Sequence, residues 1–224
     1  MRFDVVTIFP AMFGPVFAQG VVGRAIERGL LQLHAHDLRD HTHDRHRQVD
    51  DMPFGGGPGM VMKPEPVIEA VESIRSLNPG PVILMEPWGE PLDQELAASL
   101  AQEPGLVVVC GRYEGIDDRV RTALHAREIS IGEYVLSGGE LPAMVLIDAV
   151  ARLLPGVVGD PGSLAQDTFS SEPAGWPQFT RPAEYRGMAV PDVLLSGDHA
   201  RIRQWRRQQA AQRHVSHTKE LKKT

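Results

Sequence analysis

The stretch LVVVCGRYEG, residues 106–115, joins an uninterrupted apolar run of five to a loop bracketed by Gly111 and Gly115. A short valine-rich run stopped by glycine fits a strand buried on both faces better than a helix. The same kind of run recurs as FDVVTIF at 3–9, LLQLHAH at 30–36, VILM at 82–85 and EISI at 128–131. Between the runs, residues 64–77, 92–100 and 116–124 carry apolar side chains at three- and four-residue spacing, which is a helical period. This alternation predicts an α/β domain built on a largely parallel sheet. Ligands of such sheets bind beyond the carboxyl ends of the strands, so the loops after Met85, Cys110 and Ile131 are where chemistry is expected.

Outward from this body, ELPAMVLIDAVARLL at 140–154 predicts a longer apolar helix that stops at Pro155. Residues 155–182 then hold five prolines and four glycines, a composition of ordered loop or linker. Beyond it, Asp198 is placed to cap a basic helix, HARIRQWRRQQAAQR. The expected division is a catalytic body over 1–159, a linker over 160–175 and a small helical basic module over 176–224.

The formal net charge of −6 speaks against a phosphate-rich partner. Its distribution reverses that reading for one end of the chain: residues 181–224 hold 10 Lys and Arg against 4 Asp and Glu, whereas residues 1–180 hold 13 against 25. A basic module on an acidic body results. The single cysteine, Cys110, excludes an internal disulfide framework and a multi-cysteine zinc site. No apolar run reaches the roughly 20 residues needed to span a bilayer, and the first ten residues do not read as a secretory signal. The expected address is the cytoplasm, with no membrane partner.

Three glycine-rich loops dominate the candidate chemistry: GGGPG at 55–59, GRYEG at 111–115 and IGEYVLSGGELP at 131–142. Glycine lets a backbone approach a ligand closely and frees main-chain amides to bind it. None of the three matches the dinucleotide fingerprint or the P-loop, which removes the main support for NAD or ATP. Five histidines lie between residues 34 and 46. His34 and His36 share one strand face, and the other three sit among Arg and Asp, a setting that suits phosphate or base contact better than metal ligation, so no metal site is expected. Cys110, ending an apolar strand, reads as core. Glu114 inside GRYEG and Asp167 in LAQDTFSS are carboxylates whose spacing alone assigns no role.

Read together, RDHTHDRHRQVDDMPFGGGPGMVM at 39–62, GRYEGIDDRV at 111–120, IGEYVLSGGELPA at 131–143 and FTRPAEYRGMAVPDVLLSGDHARIRQWR at 179–206 resemble the bacterial tRNA (guanine-N1)-methyltransferases of the TrmD family, in the SPOUT class. The resemblance implies a parallel sheet with a deep trefoil knot plus a small helical C-terminal domain. It implies S-adenosylmethionine as methyl donor, helped by Mg2+, and a homodimer with shared active sites. The implied substrate is tRNA with guanine at position 37, next to the anticodon, methylated to 1-methylguanosine so that frameshifting is limited.

The same resemblance assigns cofactor binding to Pro87, Gly89, Gly111, Ile131, Gly132, Glu133, Tyr134, Val135, Leu136, Gly138 and Gly139. Asp167 takes the part of general base, Arg152 stabilises charge on guanine O6, and Glu114 holds the guanine edge. His46 and Asp50 contact the flipped nucleotide. Glu86 to Gly89 read E-P-W-G where relatives commonly carry S-P-Q-G. Competing readings are a SPOUT enzyme that alkylates a ribose 2′-hydroxyl, a non-catalytic RNA-binding protein, and a phosphate-binding metabolic enzyme.

Overall fold

The computed structural model describes residues 1–159 and 175–221, with side chains in the second stretch described to residue 213. Contacts divide the chain into two units, 1–159 and 160–224.

In the first unit the apolar runs become a five-stranded sheet of order β2-β1-β6-β5-β7, formed by β1 (Arg2–Thr7), β2 (Gln32–Asp37), β5 (Val82–Pro91), β6 (Gly105–Cys110) and β7 (Arg127–Ser130). Every pairing in it is parallel, as the alternation of runs predicts. Val107 and Val109 face one side, Leu106, Val108 and Cys110 the other, and each side feeds its own apolar cluster. That is why β6, at the centre, reads as continuous hydrophobe: all six of its residues are buried.

Helices cover both faces. The helices α1 (Phe13–Phe17), α2 (Gly20–Glu27), α4 (Gln94–Leu100) and α6 (Glu140–Ala151) pack on the face that receives Phe3 and Ile83. The opposite face takes α3 (Pro64–Ile74) and α5 (Arg119–Leu124). The start of α4 is fixed by Asp93, whose side chain accepts from the Leu96 amide at 2.8 Å. Helix α6 ends three residues earlier than its apolar pattern, with turns carrying the chain to Pro155. A small antiparallel pair, β3 (Asp50–Asp51) with β4 (Val61–Met62), frames the GGGPG loop.

Strand β5 has an irregularity that shapes the site. Ile129 of β7 stands opposite both Met85 and Glu90, so residues 86–89 loop out of the sheet and the strand resumes beyond them. At Gly89 the loop passes so close to β7 that a Cβ would lie 2.5 Å from the Glu128 carbonyl carbon and the Ile129 nitrogen. Only glycine fits there.

The second unit contains the two-residue strands β8 (Glu184–Tyr185) and β9 (Met188–Ala189), the short α7 (Asp192–Leu195) and the long α8 (His199–Leu221). Asp198 caps α8 as its position predicts, accepting from the amides of Ala200 and Arg201 at 3.0 and 3.1 Å. Phe179 and Trp205 pack with ring centroids 6.3 Å apart, and the Arg206 guanidinium lies over the Trp176 ring. No helix among the described residues is long and apolar enough to cross a membrane.

Candidate active site

The carboxyl ends of β5, β6 and β7 open onto a cavity of about 240 Å³. Its walls come from three segments far apart in sequence: the 86–89 loop, the GRYEG loop and residues 130–139. Parallel strands end together, so loops that follow them meet above the sheet edge.

Two contacts lock the walls. The Gly139 amide donates to the Gly111 carbonyl at 2.8 Å, and a Cβ on Gly139 would stand 2.8 Å from the Cys110 Cα. The 131–139 loop is therefore pressed onto the end of β6 by a glycine that nothing larger can replace. The second lock is ionic. Arg112 Nε lies 2.8 Å from Oε2 of Glu140, its Nη1 donates to the Ser137 carbonyl at 2.9 Å, and its guanidinium sits 4.5 Å from the centroid of the Phe9 ring. Glu140, at the first turn of α6, is buried and takes a further bond from Thr7 Oγ1 at 2.7 Å. One buried carboxylate thus ties β1, the GRYEG loop and α6 together.

Of the residues the family resemblance assigns to the cofactor, Pro87, Gly111, Ile131, Gly132, Tyr134, Val135, Leu136, Gly138 and Gly139 line the cavity. Gly89 and Glu133 are not among its lining residues. Gly89 makes the close passage against β7, and Glu133 is exposed. Glu114 lines the cavity, with its amide bonded to the Met60 carbonyl at 2.9 Å and its side chain lying against Gly59 of the GGGPG loop. Asp50 pairs with Met62, whose Sδ accepts from the Arg112 amide at 3.1 Å, so it stands one layer behind the rim. His46 is exposed in its loop, its amide held by Asp44 Oδ1 at 2.8 Å, and is not part of the cavity. Arg152 caps the C-terminal end of α6 and lines a separate depression with Val16, Val21, Met144 and Val145. Asp167 lies outside the described residues.

Three features of the site escape the sequence. Arg112 and Glu140 pair across 28 residues, Trp88 lines the cavity and donates from Nε1 to Glu128 at 3.3 Å, and Glu86 is a buried carboxylate at the cavity wall. Burial, with the like charge of Glu128 added, pushes the Glu86 carboxyl up to about 7. Only its place directly after the VILM run signals it. Cys110 is wholly buried, and burial pushes its thiol well above the ordinary range, which fits core and not nucleophile. His36 Nε2 and the buried Asp4 are 2.8 Å apart, and His43 pairs with Glu69. Among the described residues no group of three or more His, Cys, Asp or Glu side chains is gathered to hold a metal ion.

The cavity's make-up suits an adenosyl ligand. Apolar Ile131, Val135, Leu136 and Pro142 and the Tyr134 ring offer surface to a flat heterocycle.

The chain was compared with known proteins. The protein of Moorella thermoacetica named tRNA (guanine-N(1)-)-methyltransferase is 54% identical over 219 residues, covering 95% of this chain and 86% of the relative. Proteins of the same name from Thermomicrobium roseum and Dictyoglomus turgidum are 54% identical over 212 residues and 51% over 210, each covering 94% of this chain and, respectively, 79% and 85% of the relative. The family model described as tRNA (Guanine-1)-methyltransferase TrmD matches residues 1–224, and the chain belongs to that family.

Proposed function

We propose that this chain methylates N1 of guanine in tRNA, at position 37, with S-adenosylmethionine as the donor. The observation that carries the reading is the cavity where the 86–89, 111–115 and 130–139 segments converge, in a chain of this family. The donor supplies an electrophilic methyl group on a sulfonium.

The work left to the protein is to remove a proton. Guanine N1 is protonated at neutral pH and its lone pair is not free for attack. Asp167 accepts that proton; an ordinary Asp has a pKa of about 3.9, too weak a base alone. Arg152 offsets this by stabilising the negative charge that develops on O6. Glu114, at the cavity, accepts from the N–H groups of the guanine edge and orients the ring. Asp50 and His46 contact neighbouring nucleotides.

Arg152 and the cavity are lined by different residues. A homodimer in which Asp167 and Arg152 of one subunit serve the cavity of the other accounts for both. The apolar side chains Val16, Leu141 and Val145, each about half exposed around the Arg152 depression or on the same helix, support such an interface. The deep trefoil knot belongs to this reading, supported by the pressing of the 131–139 loop onto Cys110 and Gly111. So does tRNA binding by the C-terminal module, supported by the exposed Arg201, Arg203, Arg207 and Arg213 of α8. A tRNA substrate supports a cytoplasmic address.

Transfer of labelled methyl from S-adenosylmethionine to two tRNA transcripts, with guanine or adenine at position 37, tests the reading. Label in the guanine transcript alone, recovered as 1-methylguanosine, is the expected result. Label in neither sinks it, and label on a ribose hydroxyl favours the rival SPOUT chemistry. Repeating the assay in excess chelator tests the Mg2+ that the family resemblance adds.

A further inference from the structure

The cavity holds one carboxylate that the proposed chemistry does not use. Glu86 stands where β5 bulges, is 7% exposed, and lines the wall. A Cβ built on Gly111 would lie 3.5 Å from its Oε1, so the carboxylate rests against the first residue of the GRYEG loop. Among the described residues nothing donates a hydrogen bond to it, and its carboxylate oxygens are not sealed from the cavity. Among those lining the cavity Arg112 is the sole cation, and it is engaged with Glu140, the Ser137 carbonyl and the Phe9 ring. The other ionisable groups at the wall are Tyr113, Glu114 and Tyr134, and Glu128 of β7 adds a like charge. A carboxylate buried without a counter-charge is costly, and it favours any ligand that brings a positive charge near it.

We propose that Glu86 discriminates by charge between the two forms of the cofactor, favouring the sulfonium donor over the neutral thioether product. The inference rests on the methyl-donor reading above. In that reaction the sulfur–methyl bond breaks as the N1–methyl bond forms, the bonding pair stays on sulfur, and the N1 proton passes to the base. The cofactor thereby loses its positive charge, and with it the attraction of Glu86. The same carboxylate that draws the donor in gives the spent cofactor no comparable hold, which eases its exchange.

Calorimetric titration of the wild-type protein and Glu86→Gln with S-adenosylmethionine and S-adenosylhomocysteine, at pH 8.5 and pH 5.5, tests this. The readout is the ratio of the two dissociation constants, in which the amino-acid end common to both ligands cancels. At pH 8.5 the preference for the donor is expected to fall roughly ten-fold in Glu86→Gln, the scale of one charge pair partly screened. In the wild type the preference falls between pH 8.5 and pH 5.5, as Glu86, raised to about 7, takes up its proton. A ratio unmoved by both the substitution and the pH change, with both ligands bound, overturns the role of Glu86 and leaves the methyl-donor reading intact. Binding of neither ligand to the wild type overturns both.

Discussion

Arg112 Nε, at the cavity wall, and the buried Glu140 Oε2 lie 2.8 Å apart, joining the loop after β6 to the first turn of α6. Glu140 is 1% exposed, so the pair sits where water screens little. Replacing Arg112 with Ala strands a buried carboxylate and is expected to cost about 3 kcal/mol by urea denaturation, with the m-value unchanged. Thr7→Val, which removes the hydroxyl bond to the Glu140 carboxylate and the acceptor of the Phe9 amide, is expected to cost about 1–3 kcal/mol. The two losses are expected not to add, since both act on one carboxylate.

Asp167→Asn is expected to lower methyl transfer by about 10²–10⁴-fold, the usual worth of a positioned base. Binding of S-adenosylmethionine, read by calorimetry, is expected to survive. Loss of binding together with activity would assign Asp167 a structural part.

Glu86 makes a prediction for the unliganded protein. Its folded pKa of about 7 lies above the ordinary 4.5, so its ionised form is disfavoured by folding. The associated stability is complete below pH 4.5 and is lost as pH rises through 7. Glu86→Gln is therefore expected to be more stable than the wild type at pH 8.5 by about 1–3 kcal/mol and to lose that advantage near pH 4.5. Thermal unfolding at the two pH values reads this directly.

Asp4 has the opposite sign. Burial alone pushes its carboxyl up, but hydrogen bonds from His36, Arg2 and Asn78 outweigh burial and hold it well below the ordinary 3.8. Its contribution is present above pH 3.8 and is lost as pH falls through the lower folded value. Asp4→Asn is expected to be less stable than the wild type at pH 7 by about 1–3 kcal/mol, with the gap closing on acidification. A gap that stays constant down to pH 2 would refute the assignment.

The sheet is legible in the sequence because strands buried on both faces must be apolar throughout, as VILM and LVVVC are. Strand β5 is only half legible: its apolar run stops at Met85, and the part beyond the bulge, Glu90 and Pro91, shows no hydrophobic pattern. Helices α1 and α2 show no legible period, since proline and glycine at 14, 15, 20 and 23 interrupt it. The two-residue strands at 50–51 and 61–62 carry too few side chains to show a period at all. At the site, the glycine loops announce themselves locally, while the individual residues assigned to the cofactor come from the family resemblance. Arg112 with Glu140 and Thr7, by contrast, are joined only by the fold, across 28 and 133 residues. Gly89 and Glu133 lie in the loops that wall the cavity without lining it themselves.

The bulge in β5 has both ends pinned to the same residue of β7, since Met85 and Glu90 each stand opposite Ile129. Residues 86–88 can therefore change while the strand on either side keeps its register, provided Gly89 is retained for its passage against β7. The segment works as an exchangeable cassette: a tripeptide such as Ser-Pro-Gln, grafted in place of Glu-Pro-Trp, would rewrite the ligand preference of the wall and leave the folding of the sheet alone.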